Sequence, residues 1–413
     1  MIDNPYAALK IRGFRSLLVA RLLVTVAIQA QGVAVAWQMY ALTKDPLFLG
    51  LIGLAEVIPS VGISLYAGHV ADIIDRRKIV IGAAASLMGS LALLGILSAA
   101  VTTKGLLIAL IFFVVALTGF ARGFYGPAVF GMLSDIVPEP LFGNATAWNT
   151  AIWQVSAIAG PVMGGFGYVC FGASFTYLIC AFLLLLSVCC FWAIKSKTAL
   201  GTRNDGSVLE NITEGLKFVF SNEIVLGAMA LDLFAVLFGG AVALLPMFTS
   251  EIYHTGPHAL GMLRAAPSVG ALITAATLTH YPITRHSGAV FLAAVAGFGL
   301  CMILFGLSTN FYLALGILSL SGALDGISIW VRTTIFQLST PNNMKGRVAA
   351  VNGIFISSSN ELGGFESGVT AKIMGLVPSV VFGGCMTLLV VLITMCKAPR
   401  LRTLHMDNLY KSD

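Results

Sequence analysis

Apolar residues fill this chain in long unbroken blocks, separated by short polar breaks. The strict alternation of a half-buried strand is absent, and blocks of about 20 apolar residues are long enough to cross a bilayer as helices. Twelve spans are expected, over 14–42, 47–67, 79–101, 105–134, 145–170, 175–194, 224–249, 258–281, 288–308, 311–337, 348–376 and 379–397. Several exceed 25 residues, which implies tilt or extension past the lipid. Membrane strands alternate and these runs do not, so the pattern predicts an all-α membrane protein.

The polar breaks set the orientation. With a cytoplasmic N-terminus, the inner segments hold 17 bases, among them Arg12, Arg15, Arg76, Arg77, Lys78, Lys345 and Arg347. The outer segments hold two, Lys44 and Lys104. Such an excess marks the cytoplasmic side and places both termini there. The longest break, 195–223, divides the chain into 1–194 and 224–397 with a tail over 398–413, and its residues 207–220 read as a short amphipathic surface helix. Two six-span halves predict a binding site at their interface near the midplane. Met1–Pro5 carries no signal-peptide pattern, so the first span is expected to direct insertion.

Composition narrows the chemistry. Of 413 residues 58% are hydrophobic and 10% charged, against about 25% charged in soluble domains, and the mean hydropathy is +0.92. The net charge of +6 does not point to nucleic acid, because the bases fall in alternate loops and form no single face. Seven Cys lie in or beside apolar runs without CxxC spacing, and six His form no metal constellation. No phosphate-loop or nucleophile-elbow motif occurs. Neither an enzyme nor a bound cofactor or metal is expected.

Ten charges stand inside the spans: Arg21, Arg122, Arg264, Arg332 and Lys372 against Glu56, Asp232, Asp325, Glu361 and Glu366. Each costs about 2.5–3.5 kcal/mol near the bilayer centre, so they must pair or face a watery cavity. Glu56 has no base in its own helix and leads as a proton carrier, followed by Asp232; pairing with an Arg on a neighbouring helix is the alternative for each. Arg21 and Gln29, with Trp37 and Trp153, are candidates to contact a solute, or else simple packing residues. Asp325 and Arg332 lie seven apart on one helical face and could share that cavity, as could Glu361.

The break Gly68-His69-Val70-Ala71-Asp72-Ile73-Ile74-Asp75-Arg76-Arg77-Lys78 reads as a tight charged turn between two spans. Its Gly68, Ala71, Asp72, Arg76 and Arg77 resemble the signature between the second and third helices of the major facilitator superfamily. Ile73 and Asp75 depart from it, and the counterpart around His280–Ser287 is degenerate. Arg122 in Gly119-Phe120-Ala121-Arg122-Gly123 resembles the family's fourth-helix arginine motif, and Gly160-Pro161-Val162-Met163-Gly164-Gly165 the core of its fifth-helix antiporter motif. Gly346–Asn352 and Asn360–Gly368 resemble the subgroup of enterobactin-exporter-like and macrolide-efflux-like proteins. The resemblance implies two pseudo-symmetric six-helix bundles, a gate at Gly68, Asp72, Asp75, Arg76 and Arg77 in which Asp72 caps the eleventh helix, and coupling through Arg122. It implies a monomeric efflux transporter of a bacterial inner membrane, exchanging protons for an organic solute such as a siderophore or drug. A nutrient importer of the same fold, or a lipid-handling or sensor protein without net transport, are the alternatives.

Overall fold

The computed structural model describes residues 5–194, 208–283, 285–341 and 344–406, which form helices and turns with no strand. In chain order the main helices are α1 (Arg12–Thr43), α2 (Pro46–Ile73), α3 (Arg76–Ala100), α4 (Lys104–Ile136), α5 (Phe142–Trp192) and α6 (Val208–Ser221). They continue as α7 (Glu223–Phe238), α8 (Pro257–His280), α9 (Ser287–Leu307), α10 (Phe311–Ser339), α11 (Lys345–Met374) and α12 (Leu376–Lys397). Among the described residues ten helices are long and apolar enough to cross a membrane. One of them, Glu139–Trp192, is 54 residues long. Unbroken it would reach about 80 Å, more than twice the hydrocarbon core. It breaks inside α5 at Gly172, whose φ of 74° and ψ of 178° belong to a region essentially reserved for glycine.

The expected turn at Gly68–Lys78 is shorter than its polarity suggested. α2 runs on through Gly68 and Asp72 to Ile73, leaving only Ile74 and Asp75 before α3. Polar residues read as loop where a helix extends past the lipid into water. Asp75, the departure from the family signature, ends the turn: its carboxylate accepts the Arg77 N–H at 3.0 Å and caps α3.

Two compact units emerge: Met1–Lys44, Leu54–Asp205 and Thr255–Ala265 in one, Asp45–Gly53, Gly206–His254 and Ala266–Asp413 in the other. The starts of α2 and α8 thus leave their own sequence halves. In the first unit α5 lies backbone to backbone on α1. A Cβ at Gly160 would meet the Val26 carbonyl oxygen at 2.9 Å, and one at Gly164 the Ala30 carbonyl oxygen at 2.5 Å. The adjacent Gly165 faces Pro257 and Gly261 of α8. The second unit repeats this arrangement. A Cβ at Gly363 of α11 would lie 2.8 Å from the Val236 and Leu237 carbonyls of α7, and one at Gly368 2.8 Å from the Pro46 carbonyl and 3.2 Å from Gly50 of α2. Gly375 ends α11 at φ 92°, ψ 167°, as Gly172 breaks α5. Each of these glycines follows its counterpart by 203 residues (Gly160 and Gly363, Gly165 and Gly368, Gly172 and Gly375).

The linker expected over 195–223 is described only from Val208, where α6 begins; the tail beyond Met406 lies outside the described residues. Val219 of α6 packs with Val225, Met229, Val348 and Val351, and Glu214 pairs with Arg347 at the start of α11. The larger core of this unit gathers Leu231, Phe291, Leu292, Val331, Val391 and Leu401 from α7, α9, α10, α12 and the following turn.

Candidate functional site

In the first unit, small residues bring charges together. Gly119 and Gly123 of α4 face the backbone carbonyls of Glu56 and Ser60 in α2, with the Ile63 side chain also against Gly123, so the two helices cross closely. That crossing delivers Arg122 Nη1 to Glu56 Oε1. Glu56 is therefore not the isolated carboxyl its own helix suggested: its base comes from α4. The Glu56 and Arg122 side chains are 23% and 42% exposed respectively. Arg21 of α1 lies within electrostatic range of Tyr125 on α4, whose buried hydroxyl has no hydrogen-bond partner among the described residues. The same holds for the buried Gln154 Oε1 on α5. Tyr125 and Gln154 escaped sequence reading because a single Tyr or Gln in an apolar run carries no pattern. Gln29 and Trp37 are half-buried and Trp153 is 51% exposed. Gln38 is internal bracing instead: it donates to Ser98 Oγ at 3.0 Å and accepts from the Tyr177 hydroxyl at 2.7 Å.

The residues expected to form a gate lie around the turn between α2 and α3. Arg76 reaches Asp135 Oδ1 at 2.8 Å and the Gly131 carbonyl at 3.2 Å on α4. Arg77 donates to the carbonyls of Phe191 and Trp192, so its cation closes the negative end of α5. Asp135 was missed from sequence because it stands just past an expected span end, where an acid is unremarkable. The Asp72 side chain, and with it the expected cap on the eleventh helix, lies outside the described residues.

In the second unit Asp232 of α7 pairs with Arg332 of α10, and both side chains are under 10% exposed. Asp325, two turns earlier on the Arg332 face, has no hydrogen-bond or ion-pair partner among the described residues, and Arg332 finds its acid on another helix. Asp325, Asp232 and Ser328 line a cavity of about 20 Å³, enough for one water. Glu361 of α11 rests on Gly53 of α2, where any Cβ would strike its carboxylate. Lys372, nearly in line with Glu361, pairs instead with Asp45 Oδ2 at 2.7 Å, just before α2. Burial raises the Asp45 carboxyl, but hydrogen bonds from Lys372 and the Leu47 N–H, with the Lys372 charge, outweigh it and hold the carboxyl below its usual range. No group of three or more His, Cys, Asp and Glu among the described residues could hold a metal ion.

A family model described as transmembrane secretion effector matches residues 3–413. An enterobactin exporter, EntS, from Shigella boydii serotype 4 is 24% identical over 354 residues, which are 84% of this chain and 81% of the exporter. The multidrug efflux pump Tap of Mycolicibacterium fortuitum is 24% identical over 365 residues, 83% of this chain and 85% of the pump. Among solved structures, a bacterial homolog of the human lysosomal transporter Spinster superposes with a TM-score of 0.72 at 12% identity, covering 97% of this chain and 98% of its own. The nucleoside transporter NupG gives 0.64 at 16% identity, over 93% and 98%.

Proposed function

We propose that this chain, which belongs to the transmembrane secretion effector family of the major facilitator superfamily, exports a small organic molecule in exchange for protons. The ten apolar helices, the division of one of them at Gly172, and α11 together support twelve crossings. The spacing of the paired glycines supports two repeated bundles, 1–194 and 224–397, and the base asymmetry supports cytoplasmic termini in a bacterial inner membrane. The similarity to an enterobactin exporter and a multidrug pump supports efflux of a siderophore or drug.

One observation supports the proton coupling: Asp325, without a partner among the described residues, lines a water-sized cavity together with Asp232, the partner of Arg332. Arg332 shares a helical face with Asp325 and can trade Asp232 for it when proton occupancy changes. Glu56 and Arg122 are the corresponding pair in the first bundle, where protonation of Glu56 would release Arg122. Arg21, Gln29, Trp37, Trp153 and Glu361 complete the solute cavity; Asp72, Asp75, Arg76 and Arg77 form the gate. Proton and solute then bias one two-state element, and binding of either shifts the other.

The test is flux in proteoliposomes under an imposed pH gradient, with a panel of siderophores and macrolides. Wild type is expected to move a panel member against its gradient only while protons flow the other way. Asp325→Asn is expected to abolish the gradient-driven component and leave solute exchange in place. Wild-type rates of uphill export by Asp325→Asn would remove Asp325 from coupling. Net uptake indifferent to pH would replace export by facilitated import.

A further inference from the structure

A groove of about 600 Å³ lies between α9, α12 and the turn Pro399–Arg402, within the second unit and away from every charge discussed above. Its floor is small and apolar, formed by Ala289, Ala293 and Ala296 of α9 with Met395 of α12. Beyond it the two helices present exposed Leu300, Leu304, Leu392 and Ile393, a surface suited to acyl chains. Its mouth has the opposite character, with Arg402, His286 and His405 gathered there.

The mouth is built rather than incidental. Gly288 donates its N–H to the Leu404 carbonyl at 3.2 Å, and a Cβ at Gly288 would collide with the Leu401 carbonyl, so the post-α12 turn is seated directly on the start of α9. His286 takes a left-handed backbone with φ 54° and donates its N–H to His405 Nδ1 at 3.2 Å. That bond makes Nδ1 an acceptor and assigns the ring proton of neutral His405 to Nε2, leaving a donor. The two rings stand edge to face, 4.7 Å apart. His286 also occupies the N-cap of α9 without a side-chain hydrogen bond, while the Leu404 carbonyl takes one of the N–H groups at that helix start.

We propose that this groove binds one anionic phospholipid, with its phosphate held by Arg402 and His405 and an acyl chain along the alanine face of α9. Charge complementarity selects the occupant: the base asymmetry assigns this end of α9 and α12 to the inner leaflet, where anionic headgroups concentrate and basic pockets between helices capture them. The proposal extends beyond solute export and depends only on the membrane location.

Native mass spectrometry of the full chain, exchanged with phosphatidylglycerol, phosphatidylcholine or inorganic phosphate, tests it. Phosphatidylglycerol is expected to remain bound at least fivefold better than phosphatidylcholine, about the worth of one basic group at an anionic surface. The paired change Arg402→Gln and His405→Gln is expected to bring the two lipids level without moving the melting temperature. Ala293→Trp, which fills the floor, is expected to reduce retention of phosphatidylglycerol with the bases intact. Equal retention of both lipids by wild type, unchanged preference in the paired variant, or displacement of phosphatidylglycerol by inorganic phosphate alone would overturn it.

Discussion

Arg332 and Arg122 carry the same charge to the same kind of partner, and burial separates their energetics. Removing Arg332 strands a carboxylate that is 6% exposed, a loss expected to cost about 3–5 kcal/mol. Removing Arg122 leaves a Glu56 side chain that is already 23% exposed, and a loss within about 1 kcal/mol is expected. Thermal unfolding of Arg332→Met and Arg122→Met checks this contrast, and Arg332→Met combined with Asp232→Asn is expected to recover most of the first loss. The sequence made the number of charges inside the spans plain, and their need for partners followed from solvation physics. The partners themselves were hidden, since Glu56 meets a base 66 residues away and Asp232 one 100 residues away on other helices. Lys372 found its acid outside the expected set because Asp45 lies in a loop, where a charge needs no explanation.

Among the elements, helices were legible almost to their ends, because a bilayer demands an apolar run of fixed minimum length. The misreading fell at the end of α2, where a polar stretch continues the helix, whereas the break at Gly172 falls between the spans expected over 145–170 and 175–194. A side chain at Gly172 has room but the wrong backbone, so Gly172→Val is expected to cost about 1–3 kcal/mol through strain alone. Gly89→Val, in the middle of α3 with equal room and ordinary helical backbone, is the matched control and is expected to cost less. Comparison of the two melting temperatures in one detergent decides the point.

For the whole molecule, Asp45 and Lys372 join the start of α2 to the end of α11. Because the Asp45 carboxyl is held below its usual range, the pair contributes its stability fully above that range and loses it as pH falls through the lowered value. With both side chains partly exposed the effect stays within about 1 kcal/mol. Wild type is expected to lose thermal stability on acidification below about pH 4, and Lys372→Met is expected to flatten that part of the profile. The long break at 195–223 was what suggested a division into halves. The transfer of Asp45–Gly53 and Thr255–Ala265 to the opposite unit was not legible, because nothing in a glycine's immediate neighbours names the helix it will touch.

Those two transfers rest on Gly50 against Gly368 and on Gly165 against Gly261, contacts of main chain on main chain. Interlocked side chains must change rotamer before one rod can roll over another; bare backbone need not. Each crossing therefore behaves as a smooth bearing, and a methyl group placed in either would act as a brake, lowering turnover more than solute affinity.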